Sequence, residues 1–119
     1  MRSDILVYIS GPLSAAHGRS VEQNVADALS VYLDLLKRNI PAFCPHLIAA
    51  FPSAHTAMAY DDWLDYDVVM LRRCTHVLMM ERWRQSTGAK FERHEAERFE
   101  LPIAESMAEL ITMIAMVAK

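Results

Sequence analysis

At 119 residues with 53% hydrophobic and 23% charged side chains, the chain is long enough for one folded core, and we expect a single domain over residues 1–119. Its formal net charge of −3 argues against a nucleic-acid polymer or a membrane surface as partner, since both need a broad basic face, but permits a local phosphate site. The two cysteines form no C-x-x-C pair and the five histidines no metal-binding motif, so we expect a reduced, cytoplasmic protein without a metal. Neither a signal peptide nor an apolar run of about 20 residues that could span a membrane is apparent.

The first half of the chain alternates between strand and helix signals. In chain order, the predicted elements are a strand at 4–10, a helix at 20–39, a strand at 41–45 and a loop, with or without a helical turn, at 46–59. The first strand is an apolar, β-rich run that ends at Gly11 and Pro12, as a buried strand followed by a loop does. The helix begins at a capping-box pattern, in which Ser20 is the N-cap and Gln23 follows three residues later.

The second half continues the alternation. The predicted elements are a helix at 60–74, a strand at 75–80, a loop and helix within 83–102, a strand at 101–105 and a helix at 105–118. Strands that alternate with helices predict a parallel sheet with helices on both faces. We therefore expect a three-layer α/β fold of the Rossmann or flavodoxin-like type, with four or five parallel strands. In such folds, ligands bind beyond the carboxyl ends of the strands.

The last predicted helix is apolar on nearly every side. Its apolar residues are Ile111, Met113, Ile114, Met116 and Val117. This is more apolar surface than a small domain needs to cover its sheet, which favours a homodimer or a higher homo-oligomer. The alternative is a terminal helix that is buried within one subunit.

Three segments should meet at the carboxyl ends of the strands. They are Ser10-Gly11-Pro12, Pro45-His46 and the loop from Glu81 to Gly88. His46 either lines a pocket there or lies on the surface. Ser86, Thr87 and Gly88 begin a helix, whose free N–H groups and dipole favour an anion. Neither a GxGxxG motif nor a P-loop is present, which argues against dinucleotide binding and nucleoside-triphosphate hydrolysis, and no cofactor is expected.

Glu92 is placed unexpectedly within its predicted helix. By helical spacing it lies between Ala89 and Ala96, on the face that should be buried, whereas most charged residues of this helix fall on the other side. One interpretation is a carboxylate that pairs with an arginine or lies at the edge of the buried face. The other is a catalytic carboxylate in a partly dry pocket.

Asp67 and Tyr8 raise the same alternatives. Asp67 lies on the side of its predicted helix that carries Trp63 and Leu64. Two inward carboxylates in different environments can divide labour, one as nucleophile and one as acid, as in the cleavage of glycosidic bonds. Tyr8, at the end of the first strand, is either a half-buried strand tyrosine or a phenol that holds the nucleophile by a hydrogen bond.

Three longer motifs stand out, namely VYISGPLS near the start, WLDYDVVMLRRCTHVLMMERW in the middle, and STGAKFE. Together they resemble the nucleoside 2-deoxyribosyltransferase superfamily, over residues 5–103. Within it, the chain is most similar to short, DUF4406-like members with a Y-I-S-G-P start and a G-W-x-x-S-x-G-A-x-x-E segment, which are related to the nucleoside 5′-monophosphate N-glycosidases. The resemblance implies a reaction at the N-glycosidic bond of a small-molecule nucleotide or nucleoside.

Carried over by position, the resemblance assigns the chemistry to three residues. Glu92 matches the nucleophile, which would attack C1′ of the sugar and form a covalent glycosyl-enzyme intermediate. Asp67 matches a helix aspartate that contacts the base and assists its departure. Tyr8 matches the tyrosine that orients the nucleophile.

The resemblance also implies substrate-binding positions. Ser10 and Gly11 lie in the start motif, where Gly11 lets the backbone approach the ligand. Ser86, two residues before Gly88, matches a serine that binds the 5′-phosphate in the monophosphate hydrolases, whereas the transferases that act on free nucleosides tend to carry an acidic residue there. Arg19 is expected, from its chemistry alone, to add a charge-assisted phosphate contact.

Two positions depart from the family pattern. Thr75 follows Cys74 where members often carry an aspartate that helps position the site. Arg82 replaces the usual small turn residue before the tryptophan, and would crowd or recharge the mouth of the pocket. The residue that the transferases borrow from a neighbouring subunit near the C-terminus has no clear counterpart.

These observations favour an enzyme that cleaves the N-glycosidic bond of a (deoxy)nucleoside 5′-monophosphate. Hydrolysis is preferred over transfer to a second base, as in a nucleoside 2-deoxyribosyltransferase, because of Ser86. Two other interpretations stay open. One is a non-catalytic nucleotide-binding module on the same fold, which the departure at Thr75 motivates. The other is an α/β interaction domain in which Glu92 and Asp67 are merely ion-paired.

Overall fold

The computed structural model describes residues 1–51 and 57–117. Its elements are, in chain order, β1 (Val7–Ser10), α1 (Val21–Lys37), β2 (Ala42–Phe43), a 3₁₀ helix (Pro45–Ala50), α2 (Tyr60–Arg72), β3 (His76–Met79), a 3₁₀ turn (Trp83–Gln85), α3 (Thr87–Arg98), β4 (Ile103–Ala104) and α4 (Met107–Val117). Within the described residues, the strands form one parallel sheet in the order β2-β1-β3-β4. The predicted α/β fold, with a parallel sheet between layers of helices, is confirmed.

The predicted elements occur in the predicted order, and their bounds differ only at the ends. The second and fourth strands are each two residues long, shorter than the apolar runs that predicted them. The predicted loop at 46–59 begins as a 3₁₀ helix, the helical turn of the expectation. Its residues 52–56 lie outside the described part of the chain.

The first helix begins as its sequence predicts. The Ser20 hydroxyl accepts a hydrogen bond from the backbone N–H of Gln23 at 3.1 Å, and the Gln23 side chain accepts one from the N–H of Ser20 at 2.8 Å. This capping box satisfies two of the N–H groups that a helix start leaves without partners. It fixes the point where the loop after β1 turns into α1.

The central strand β1 serves two separate cores. Val7 and Ile9 pack on one face of the sheet, in an apolar cluster with residues of α1 and α4. Tyr8 packs on the other face, in a cluster with residues of α2 and α3, and the hydroxyl of Ser10 reaches α3 on that same face. This alternation follows from the pleat of a strand, which sends successive side chains to opposite faces.

The last helix covers its own sheet. Leu110 and Ile114 are buried in the cluster beneath α1 and α4, and Met107 and Met113 pack against it. Met116 stays 72% exposed. Burial within one subunit, the alternative weighed for this helix, therefore accounts for most of its apolar residues, and homo-oligomerisation stays a prediction. Among the described residues, no helix is both long enough and apolar enough to cross a membrane.

Candidate active site

A cavity of about 440 Å³ opens at the carboxyl ends of β1, β2 and β3. Its wall is formed by the loops that follow these strands and by the inner sides of α2 and α3. The strand order changes direction here, because β2 lies on one side of β1 and β3 on the other. Chains that leave neighbouring strands in opposite directions open a crevice between them, where parallel α/β proteins bind their ligands.

Glu92 points inward from α3 into this cavity. It is 8% exposed and lies between the buried residues Ala89 and Ala96 on the inner face of the helix. The Tyr8 hydroxyl donates a hydrogen bond to Oε2 of Glu92, and the Ser10 hydroxyl donates one to Oε1 at 2.7 Å. Both carboxylate oxygens are thus held by hydroxyl groups from β1. Within the described residues, no lysine or arginine forms a salt bridge with Glu92, so the ion-pair interpretation is wrong.

The surroundings of Glu92 keep its charged form in balance with its neutral form. Burial raises the pKa of Glu92 to about 7, with a further rise from the charge of Asp67, while the hydrogen bonds from Tyr8 and Ser10 act in the opposite direction. Near neutral pH the group is therefore divided between carboxylate and carboxylic acid. Burial, with the negative charge of Glu92, also holds the pKa of the Tyr8 phenol well above its ordinary value, so Tyr8 remains a hydrogen-bond donor.

Asp67 enters the same cavity from α2. It is partly buried beside Trp63 and Leu64, which also line the wall. Burial raises the pKa of Asp67 to about 6. The cavity therefore holds two carboxyl groups in different settings, Glu92 fixed by two hydroxyls and Asp67 on a mainly apolar wall. Such a pair can supply a nucleophile and a proton donor.

Ser10 and Gly11 have structural reasons for their identity. Ser10 is fully buried and lies behind Glu92 instead of on the cavity wall. Gly11 lines the wall, but a Cβ atom there would come within 2.6 Å of Sδ of Met80. Glycine is thus required by the packing of Met80 against the loop, whatever the ligand. The predicted role of Ser10 as a substrate contact has no support in this placement, since its hydroxyl is committed to Glu92.

His46 joins two of the loops that form the wall. It is buried, and its Nε2 lies 3.0 Å from the carbonyl oxygen of Pro12. The carbonyl is an acceptor, so Nε2 carries the proton and donates. Burial lowers the pKa of His46, which favours the neutral ring. Of the two alternatives for His46, the pocket position is confirmed and the surface position is wrong.

The start of α3 forms another part of the cavity wall. Ser86 is the N-cap, and its hydroxyl accepts a hydrogen bond from the N–H of Ala89 at 3.0 Å. The N–H groups of Thr87 and Gly88 belong to the first helical turn, where no intrahelical acceptor exists, and both residues line the cavity. A Cβ atom on Gly88 would meet nothing closer than the Ser86 hydroxyl at 3.9 Å, so the space beside this turn is open.

Two arginines at the cavity share one carboxylate. Arg19 and Arg82 both line the wall, and both donate to Oδ2 of Asp27 on α1, Arg82 at 2.7 Å. Arg19 also donates to the Asn24 side chain at 3.3 Å. Asn24, which is buried, in turn donates to the carbonyl groups of the loop after β1. Sequence spacing gave no signal for Asp27 or Asn24, because these contacts join side chains from separate elements.

Thr75 lies far from the cavity. It precedes β3, at the amino ends of the strands, whereas the cavity lies at their carboxyl ends. Its hydroxyl accepts a hydrogen bond from the N–H of Leu6 at 2.9 Å and so ties β3 to β1. Thr75 itself therefore serves the pairing of β3 with β1 and does not line the cavity.

The described residues contain no group of three or more histidine, cysteine, aspartate or glutamate side chains that could hold a metal ion. Cys44 and Cys74 are both buried free thiols. Burial raises the pKa of Cys44 to about 11 and that of Cys74 to about 12, which leaves both thiols protonated and unreactive.

Fold and site together define an α/β protein with a parallel sheet, whose cavity at the carboxyl ends of the strands contains a buried carboxylate. Comparison with known families then places the chain more closely. The family described as a domain of unknown function, DUF4406, matches residues 5–105, and the chain belongs to this family. No curated protein and no solved structure gave a match.

Proposed function

We propose that this protein cleaves the N-glycosidic bond of a nucleoside 5′-monophosphate and releases the free base and the sugar phosphate. The observation that carries the proposal is the position of Glu92, a buried carboxylate whose two oxygens are held by Tyr8 and Ser10 at the edge of a cavity that also contains Asp67. A carboxylate that serves only stability is rarely desolvated without a cation, because burial of an unpaired charge is costly.

The chemistry follows from the two carboxyl groups. The Glu92 carboxylate attacks C1′, a C–O bond forms to the enzyme, and the C1′–N bond breaks with its electron pair on the base. Asp67 in its acid form donates a proton to the departing base. Water then attacks C1′, gives up a proton to the Asp67 carboxylate, and displaces Glu92 as a carboxylate. The products are the free base and the sugar phosphate.

The start of α3 favours a phosphorylated substrate over a free nucleoside. Ser86 supplies a hydroxyl, and the first turn supplies N–H groups and the positive end of the helix dipole. An acidic side chain in this place would repel a phosphate. The resemblance of the start motif and of STGAKFE to the nucleoside 2-deoxyribosyltransferase superfamily, and to its monophosphate hydrolases, supports the same substrate class. The free thiols of Cys44 and Cys74 fit a cytoplasmic setting.

The test is incubation with a panel of ribo- and deoxyribonucleoside 5′-monophosphates, with chromatographic detection of free base. The wild type should release base from at least one of them, and Glu92→Gln should abolish the release. Glu95→Gln is the matched control. Glu95 is equally buried on α3 but pairs with Arg98 at 2.8 Å instead of facing the cavity, so its variant should keep activity.

Two results would contradict hydrolysis. Exchange of the base in the presence of a second base, without net formation of sugar phosphate, would show a transferase. Nucleotide binding with no release from any substrate would show a non-catalytic module.

A further inference from the structure

The two arginines that line the cavity, Arg19 and Arg82, differ in how many hydrogen-bond acceptors they have within the protein. Arg19 has three acceptors within the protein, namely the carboxylate of Asp27, the side chain of Asn24 at 3.3 Å and the carbonyl oxygen of Gln23 at 3.5 Å. Arg82 has one, the carboxylate of Asp27 at 2.7 Å. Among the described residues, the Nε–H of Arg82 is buried and has no acceptor. A buried donor without a partner is unfavourable and is filled in most proteins by a side chain, a water or a ligand.

The backbone at Arg82 adds a second observation. Its φ angle is 68°, in the left-handed region that favours glycine, and a long side chain held there is strained. The residue belongs to the same short loop as Ser86, and both line the cavity. Arg82 therefore lines the same cavity as the helix start to which the proposed function assigns the phosphate, and its guanidinium is not fully paired.

Arg19, Arg82 and Asp27 form one cluster of charges at the cavity wall. Arg19 and Arg82 together carry two positive charges, and Asp27 compensates one of them. One positive charge remains, next to the positive end of the α3 dipole. A guanidinium can bind a phosphate through two neighbouring N–H groups, and Arg19 has already given its Nε and Nη2 to protein acceptors.

We propose that Arg82 is the residue that selects a 5′-phosphorylated substrate, with Arg19 and Asp27 as the groups that position it. The guanidinium turns toward the cavity, so that its Nε–H, buried and without an acceptor in the present rotamer, donates to a phosphate oxygen while Nη2 stays on Asp27. This inference rests on the proposed function for the presence of a 5′-phosphate, and it assigns to Arg82 the contact that sequence reasoning gave to Arg19.

The test measures binding without turnover. Ribose 5-phosphate, 2-deoxyribose 5-phosphate and the two unphosphorylated sugars are titrated into the protein and followed by calorimetry or NMR. Arg82→Gly is the informative variant, because glycine suits the left-handed backbone and should leave the fold intact. Arg84→Ala is the control, since Arg84 lies two residues away on the same turn and is 73% exposed.

The wild type should bind the phosphorylated sugars more tightly than the plain sugars. Arg82→Gly should weaken binding of the phosphorylated sugars by about 10- to 100-fold, the usual effect of losing a hydrogen bond to a charged group, and leave the plain sugars unaffected. Arg82→Lys keeps the charge but lacks the Nε–H, and should recover only part of the affinity. Arg84→Ala should bind as the wild type does.

The inference would be overturned if Arg82→Gly bound the sugar phosphates as tightly as the wild type does. It would also be overturned if the wild type bound phosphorylated and plain sugars equally well. A loss confined to Arg19→Ala would return the contact to Arg19. Since no bond is broken in this experiment, its outcome is separate from that of base release. Phosphate-dependent binding through Arg82 without cleavage of any nucleotide would refute the proposed reaction and leave the role of Arg82 standing.

Discussion

At the scale of single residues, the candidate site depends on two carboxyl groups that are made different by their neighbours. In the proposed reaction Glu92 must be ionised to attack, so the rate should rise with pH as this group, whose pKa is about 7, loses its proton. Asp67 must be protonated to serve the leaving base, so the rate should fall as the pH passes upward through about 6.

Glu92, which must be ionised, has a higher pKa than Asp67, which must be protonated. Only a small fraction of the protein therefore carries both groups in the required form at any pH. We expect a bell-shaped profile of kcat/KM with its maximum between these two values, and a pH series of initial rates measures it. A rate that climbs steadily to pH 9 would contradict the assigned roles.

Ser10 offers a test of positioning. Its hydroxyl donates to Oε1 of Glu92 and lowers the pKa of that group. In Ser10→Ala this contribution is lost and the pKa of Glu92 rises. Because the higher of the two pKa values sets the falling limb in this order of ionisation, that limb and the maximum of the pH profile should move to higher pH. The rate below pH 7 should fall by about 10-fold or more, as expected for a lost hydrogen bond to a charged group.

Ser106→Ala is the control for this shift, since the Ser106 hydroxyl accepts from Glu109 at the start of α4, away from the cavity. An unshifted profile in Ser10→Ala would show that Ser10 only fills space.

At the scale of elements, the start of α3 combines helix formation with the phosphate binding that we propose. Gly88 lies in the first turn and has open space beside it. Alanine there should stabilise the helix by up to about 1 kcal/mol, because glycine is the poorer helix former. Its methyl group would project into space that a bound phosphate needs. We expect Gly88→Ala to melt at a higher temperature but to show a KM raised by about 10-fold or more, which thermal unfolding and steady-state kinetics would measure. An unchanged KM would place the phosphate elsewhere.

The elements themselves were predictable because their signals are local. The capping box at Ser20, the apolar run before Gly11 and the helical phase of Glu92 each depend on residues a few positions apart, and each is confirmed. The contact between Asp27 and Arg82 joins residues 55 positions apart, and no periodicity encodes it. The doubt attached to Thr75 came from the resemblance alone, since its place before a strand already puts it at the amino ends of the strands, away from the cavity.

At the scale of the whole molecule, the buried carboxylate should limit stability at high pH. The pKa of Glu92 is about 7 in the fold against 4.5 for an ordinary glutamate, so folding favours its protonated form. The stabilisation that protonation gives is complete below pH 4.5 and is lost as the pH rises through 7. By linkage, the loss amounts to about 3 kcal/mol of unfolding free energy.

In Glu92→Gln the free energy of unfolding should not fall in this way at high pH, because glutamine carries no charge at any pH. The variant should therefore unfold at a higher temperature than the wild type at pH 8, and at a similar temperature at pH 4.5. Melting curves across this range measure the difference, and Glu95→Gln serves again as the control because Glu95 is ion-paired. The same stabilisation at both pH values would mean that the charge of Glu92 is not what limits the fold.

The alternation along β1 has a consequence for how this protein can change over evolutionary time. Val7 and Ile9 build one core, while Tyr8 and Ser10 hold the carboxylate on the other face. A substitution alters one of these tasks alone, but a single-residue insertion or deletion within the strand would exchange them, sending the hydroxyls into the apolar layer. We expect the length of this strand to tolerate no drift, whereas the loop that follows Gly11 can lengthen beyond Ser14, past the carbonyl groups that His46 and Asn24 hold. New substrate preferences would then arise by remodelling that loop around an unchanged Tyr8 and Ser10.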